Sequence, residues 1–196
     1  MKKISGLHDV SVSSGFSVYS LAYAGVFIAM NIVLSRLVSI PIGPTLRISI
    51  GSVPIILSGL FLGPFLGGAS GAAGDLLGCA ISGYAPNPLL TLSAVLMGIL
   101  PSLFRNFIAN GKGINGYLRV LAVLAFTMLL TSQGTTTLGL ALMYGMSFWP
   151  TFIMRLPQTC LLLIVNSFLV TILYSRVRLP GNSRRRKAES GNTSAR

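Results

Sequence analysis

Between residues 16 and 174 this chain offers water almost nothing, and that constrains its fold more than any motif does. An apolar run of about 20 residues can sit in lipid only if its backbone N–H and C=O groups bond within the run, which selects helices. Six such runs are present, at 16–34, 48–62, 65–81, 89–108, 118–143 and 150–174. Only 9% of residues are charged and the mean hydropathy is +0.76, whereas a soluble domain carries about a quarter charged residues. The expected fold is therefore an all-α integral membrane protein with six transmembrane helices. A polar N-terminal segment (1–15) precedes the membrane domain (16–174), and a basic, disordered tail (175–196) follows it.

The breaks between runs carry helix-stopping residues: Pro41, Gly43 and Pro44, then Gly63-Pro64, then Gly83, Pro86 and Pro88, then the glycine-rich turn 109–116. Pro101 and Pro157 fall inside runs and are expected as kinks. No small-residue cleavage site follows the first run, which is expected to be a retained helix. An even number of spans puts both termini on one side. Lys2, Lys3, Arg105, Lys112, Arg119 and the basic residues from Arg176 onward share that side. The positive-inside rule makes it the cytoplasm of a multi-pass plasma-membrane protein. A net charge of +12 would suggest nucleic acid in a soluble chain. Here it suggests topology and lipid-headgroup contact, with no nucleic-acid partner.

Three cations escape this rule. Arg36 and Arg47 bracket the outer loop after the first run, and Arg155 lies one or two turns into the last. Of the three acidic residues, Asp9 and Glu189 belong to the polar ends and Asp75 alone lies in the membrane region. Protein carboxylates therefore cannot match these guanidinium groups, and an anionic ligand is the expected partner. Tyr84, Tyr144, Phe148 and Trp149 gather near the same outer ends, with Asn87, Gln133 and Gln158 as amide partners. Interfacial belts also place aromatics there, but the combination suits a planar heteroaromatic acid. Asp75 must pair, accept hydrogen bonds or stay protonated. With no second titratable group beside it, proton-coupled transport is disfavoured.

No phosphate loop, zinc-ligand spacing or Ser/His/Asp arrangement occurs, so neither an enzyme, a metal nor a cofactor is expected. Cys79 and Cys160 read as small buried hydrophobes. The absence of an internal repeat counts against an inverted-repeat secondary transporter. A self-sufficient transporter or channel for a small organic anion stays open as an alternative, as does a scaffold whose arginines sit at headgroup level. Gly59, Gly63, Gly67 and Gly71, continued by Gly74 and Gly78, form a small-residue series expected to pack helices within the chain. Ala22, Gly25 and Ala29 make a second small-residue face on the first run, suited either to packing or to docking on another membrane subunit.

The segments Phe27-Ile-Ala-Met-Asn-Ile-Val-Leu-Ser-Arg36 and Ser39-Ile-Pro-Ile-Gly-Pro-Thr-Leu-Arg-Ile-Ser49 resemble the folate-family substrate-capture (S) components of energy-coupling-factor (ECF) transporters. Gly63-Pro64, Gly74-Asp-Leu-Leu-Gly78, Asn87-Pro88, Thr91-Leu-Ser-Ala94 and Arg155-Leu-Pro157 share the likeness, which runs from about residue 19 to 175. The resemblance implies a six-helix vitamin-binding subunit that docks on a transmembrane coupling subunit carrying two cytoplasmic ATPases. Family members dock through an Ala-xxx-Ala face in the first span; here Gly25 stands at its first position and Ala29 at its second. With a folate as ligand, Arg36, Arg47 and Arg155 are expected to include the groups that face its glutamate carboxylates. The pterin would stack on Trp149 or Tyr84 and bond to Asn87 or Asp75. Related S components carry other vitamins and small solutes on the same architecture.

Overall fold

Every residue from Val53 to Leu60 is buried, which is unusual for a single helix and identifies the centre of the bundle. In the computed structural model, residues 18–42, 46–83, 85–109 and 113–176 are described. The chain runs α1 (Val18–Ile32), a π-helical turn π1 (Val33–Leu37), β1 (Ile40–Ile42), β2 (Leu46–Ile48), α2 (Ser52–Leu62), α3 (Pro64–Ser82) and α4 (Pro88–Leu103). It continues through α5 (Arg105–Ala109), α6 (Gly113–Met128), a second π-helical turn π2 (Leu129–Thr135), α7 (Thr136–Tyr144) and α8 (Phe148–Arg176). The segment 1–15 and the tail beyond Arg176 lie outside the described residues.

The central helix α2 packs against α1, α3, α4 and α8. Ile56, Leu60, Met97, Leu124, Leu162 and Val170 form the heart of the apolar core. Asn166 Nδ2 donates to Ser52 Oγ at 2.9 Å, and the Phe61 and Tyr174 rings meet at 5.3 Å further along. The two contacts fix α2 and α8 as parallel neighbours. Around them the usual distribution of a soluble protein is inverted. Val18, Leu37, Phe65, Ile81, Ile114 and Leu142 are exposed, whereas Ser58, Thr127, Thr131, Gln133, Thr137 and Asn166 are fully buried. A bilayer supplies the missing apolar contact. Val18–Leu37, Ile114–Met143 and Phe148–Tyr174 are long and apolar enough to cross it, and α2 and α4 are shorter apolar helices.

The glycine series packs within the chain. Gly59, Gly67 and Gly98 bring α2, α3 and α4 into backbone contact: a Cβ at Gly59 would collide with the Gly98 carbonyl, and one at Gly67 would lie 2.5 Å from Gly59 Cα. The upper end of the series receives side chains from the first helix, Asn31 at Gly74 and Arg36 at Gly78.

Three local expectations are corrected. The first helix does not stop at residue 34; it widens into π1 and then enters a β-hairpin, with Ile40 opposite Ile48 and Pro41 opposite Arg47. Proline can sit in such a two-stranded edge because a ladder needs no donor on its outer side. The fifth run is not one continuous α-helix, because π2 interrupts it. Thr135 Oγ1 donates to Leu130 O at 3.0 Å and Thr136 Oγ1 to Thr131 O at 3.1 Å, five residues back, which satisfies the carbonyls of the widened turn. Cys79 is buried as expected, but Cys160 is exposed on α8, on the side turned away from the bundle.

Candidate functional site

Two π turns each carry one of the residues singled out from sequence, Arg36 in π1 and Gln133 in π2. An extra residue in a helical turn rotates the following side chains and is often found at functional sites. In π2 the rotation points Gln133 into the bundle, where it is 0% exposed. Its Nε2 donates to Phe152 O of α8 at 3.4 Å, while Oε1 is buried without a partner. Thr137, one turn on, is also fully buried with an unpartnered Oγ1.

Across from them, Arg155 lies three residues beyond Phe152 on α8. It is 7% exposed, and both Nε and Nη1 are buried with no partner. Gln158 follows at i+3 on the same helix face and is half-buried. The wall between α7 and α8 thus holds orphaned donors on a guanidinium and orphaned acceptors on an amide and a hydroxyl. Each such group costs about 1–3 kcal/mol when left unmade, more if charged. These unpartnered groups make the wall the candidate site for a polar ligand.

The strand β2, with Arg47 at its centre, packs against α8.

The other sequence-predicted residues fall elsewhere. The Arg36 guanidinium lies over Gly78 of α3, with Nη2 3.6 Å from Cys79 Sγ and Nε buried without a partner. Asn87 caps α4 by accepting from Leu89 N at 2.9 Å, and its Nδ2 donates to Gly139 O of α7 at 3.2 Å. Asp75 Oδ2 accepts from Thr91 Oγ1 at 2.8 Å, and Ser93 bonds to Thr136 at 2.9 Å. These bonds stitch α3, α4 and α7 together, so Asn87 and Asp75 are already engaged. A shallow apolar cleft of about 470 Å³ beside them, lined by Leu76, Pro86, Pro88, Thr91 and Leu92, opens outward and contains no cation. Trp149 is 71% exposed and stands edge-on to Phe148 and Phe152 at the start of α8. Tyr84 lies outside the described residues. On α1, Ala22, Gly25 and Ala29 are all exposed, and a Cβ at Gly25 would meet nothing within 4 Å.

Sequence reasoning missed Thr137, Thr91 and Asn31. Each is a small polar residue in an apolar run, a signal that becomes selective only when the facing helix is known.

The sequence profile described as "ECF-type riboflavin transporter, S component" matches residues 15–179. The folate transporter FolT of Clostridium novyi (strain NT) is 28% identical over 153 residues, which make up 76% of this chain and 84% of that protein. A crystal structure of FolT bound with folic acid is similar at a TM-score of 0.69 and 27% identity, over 83% of this chain and 96% of that one. Such proteins are transport components of the plasma membrane, not enzymes. The profile match runs from before α1 to beyond the end of α8, and the chain belongs to the family of ECF-type transporter S components.

Proposed function

We propose that this protein captures folate or a close derivative from the outer face of the membrane and hands it to an ATP-driven ECF importer. The observation that carries the reading is Arg155, a guanidinium buried with Nε and Nη1 unpartnered, on the helix whose Phe152 carbonyl receives Gln133; Gln133 Oε1 and Thr137 Oγ1 are buried without partners as well. Folate combines a flat heteroaromatic head, rich in amide-like donors and acceptors, with two carboxylates. The N–H donors of Arg155, with Arg47 on the strand packed against the same helix, suit the carboxylates. Gln133 and Thr137 suit the edge of a ring system. The likeness to FolT over most of both chains supports the same ligand class.

In this reading six helices cross the membrane, with both termini and the Arg105–Arg119 region on the cytoplasmic side. The exposed Ala22, Gly25 and Ala29 dock on the transmembrane coupling subunit. Two partner ATPases hydrolyse the ATP, and the S component performs no chemistry of its own.

The family profile's description favours a second reading, riboflavin capture. Riboflavin carries no carboxylate and would leave the guanidinium of Arg155 unpaired. Equilibrium binding of folic acid and of riboflavin to the purified protein separates the two. Folate binding in the nanomolar to micromolar range, with riboflavin failing to compete, is expected; the reverse order of affinity would replace the folate reading. Uptake by liposomes containing this protein without coupling subunit or ATPases would instead indicate a self-sufficient transporter.

A further inference from the structure

An amide in the interior of a membrane bundle costs desolvation unless it bonds, and a leucine would fill the same space more cheaply. Asn31, near the end of α1, is only 6% exposed. Its Nδ2 donates to Gly51 O at 2.7 Å, at the joint between β2 and α2. From the other side α3 presses on the amide, since a Cβ at Gly74 would collide with Asn31 Oδ1. The same joint is fastened twice more. Ser49 Oγ donates to Leu34 O at 3.1 Å and accepts from Gly51 N at 3.1 Å. In the π turn, Val38 N bonds back to Val33 O at 3.3 Å, and the next carbonyl, that of Leu34, receives Ser49. A Cβ at Gly51 would lie 2.7 Å from Ser35 Cβ, so the joint closes only on glycine.

We infer that Asn31, seated by Gly74, is a positioning residue for the hairpin that carries Arg47. The inference rests on the anion-capture reading above. The amide supplies a bond to backbone outside its own helix, which an apolar residue cannot make. The exit of β2 is thereby pinned to π1 while the strand itself abuts α8, and this sets where the backbone that carries Arg47 lies against that helix.

The test uses the full chain in lipid nanodiscs, with Asn31→Ala, Gly74→Ala and Ser49→Ala, each alone and combined with Arg47→Ala or Arg155→Ala. Ser49→Ala loosens the joint without altering the buried contact of Asn31 with Gly74, which keeps the test decisive if another variant folds poorly. Hydrogen exchange is read over residues 40–48, and folate affinity in parallel. All three variants should speed exchange in the hairpin while α2 and α3 stay protected. Each should weaken folate by about tenfold. That loss should add in full to Arg155→Ala but contribute less than about twofold on top of Arg47→Ala. A residue with a general packing role would add equally to both. Wild-type hairpin exchange in the variants, or full additivity with Arg47→Ala, overturns the inference. Absence of folate binding in the wild type would overturn the ligand reading instead, and the exchange data would still decide whether Asn31 holds the hairpin.

Discussion

Replacing Arg155 with alanine separates a ligand-binding cation from a structural one, because the two roles predict opposite effects on the ligand-free protein. Arg155 is almost fully buried, and its Nε and Nη1 lack partners. In the absence of ligand, removing it relieves an unpaired buried charge and forfeits only the packing of the aliphatic stem. The unfolding temperature without ligand should therefore stay level or rise. With ligand the sign reverses. Each charge-assisted bond to a carboxylate is worth about 1.5–3 kcal/mol, or roughly 10- to 150-fold in affinity. Loss of the guanidinium's contacts to the ligand carboxylates should cost about 100-fold in total, since such bonds do not add fully. At a fixed saturating folate concentration, about 2.7 kcal/mol of ligand-induced stabilisation would disappear. Arg155→Lys keeps the charge without the fork and should fall between the two. Titration calorimetry gives the affinity, and thermal unfolding with and without folate gives the stabilities. A folate analogue lacking the glutamate should lose its disadvantage in the alanine variant. Wild-type folate affinity in Arg155→Ala, or a ligand-free protein destabilised by several kcal/mol, would refute the reasoning.

Further outcomes are expected from other parts of the structure. Gln133→Leu removes an orphaned acceptor, so it should leave ligand-free stability unchanged or higher while weakening folate about 5- to 10-fold, read by the same titration. Gly25→Leu should leave folding and folate binding intact, because nothing stands within 4 Å of its Cβ position, yet abolish uptake in a reconstituted complex with the coupling subunit and ATPases. Gly59→Ala forces a methyl group into the Gly98 carbonyl and should destabilise the bundle by about 2–3 kcal/mol in thermal or denaturant unfolding. Thr91→Val removes the donor to Asp75 and should cost about 1–3 kcal/mol of stability without altering ligand specificity.

The membrane class, the helical runs and the surplus of cations could all be read from the chain. Lipid imposes its constraint locally: each run must satisfy its own backbone, so hydropathy and glycine or proline breaks fix the elements without reference to their neighbours. The packing role of the glycine series was equally visible, because close approach needs only small residues at a regular spacing. What the chain could not reveal was which polar residues share a wall. Arg36 and Arg155 looked equivalent as unmatched guanidinium groups, yet π1 lays one over Gly78 while the other is buried on α8, one turn beyond the Phe152 carbonyl that receives Gln133. Asn87 and Gln133 looked like equal amides, yet one is consumed in capping α4 and holding α7 while the other keeps a free acceptor. Both outcomes depend on which way a helix face is turned, set for Arg36 and Gln133 by one extra residue in a π turn and for Asn87 and Arg155 by the helices packed around them. Local sequence carries no record of that rotation; tertiary contact supplies it.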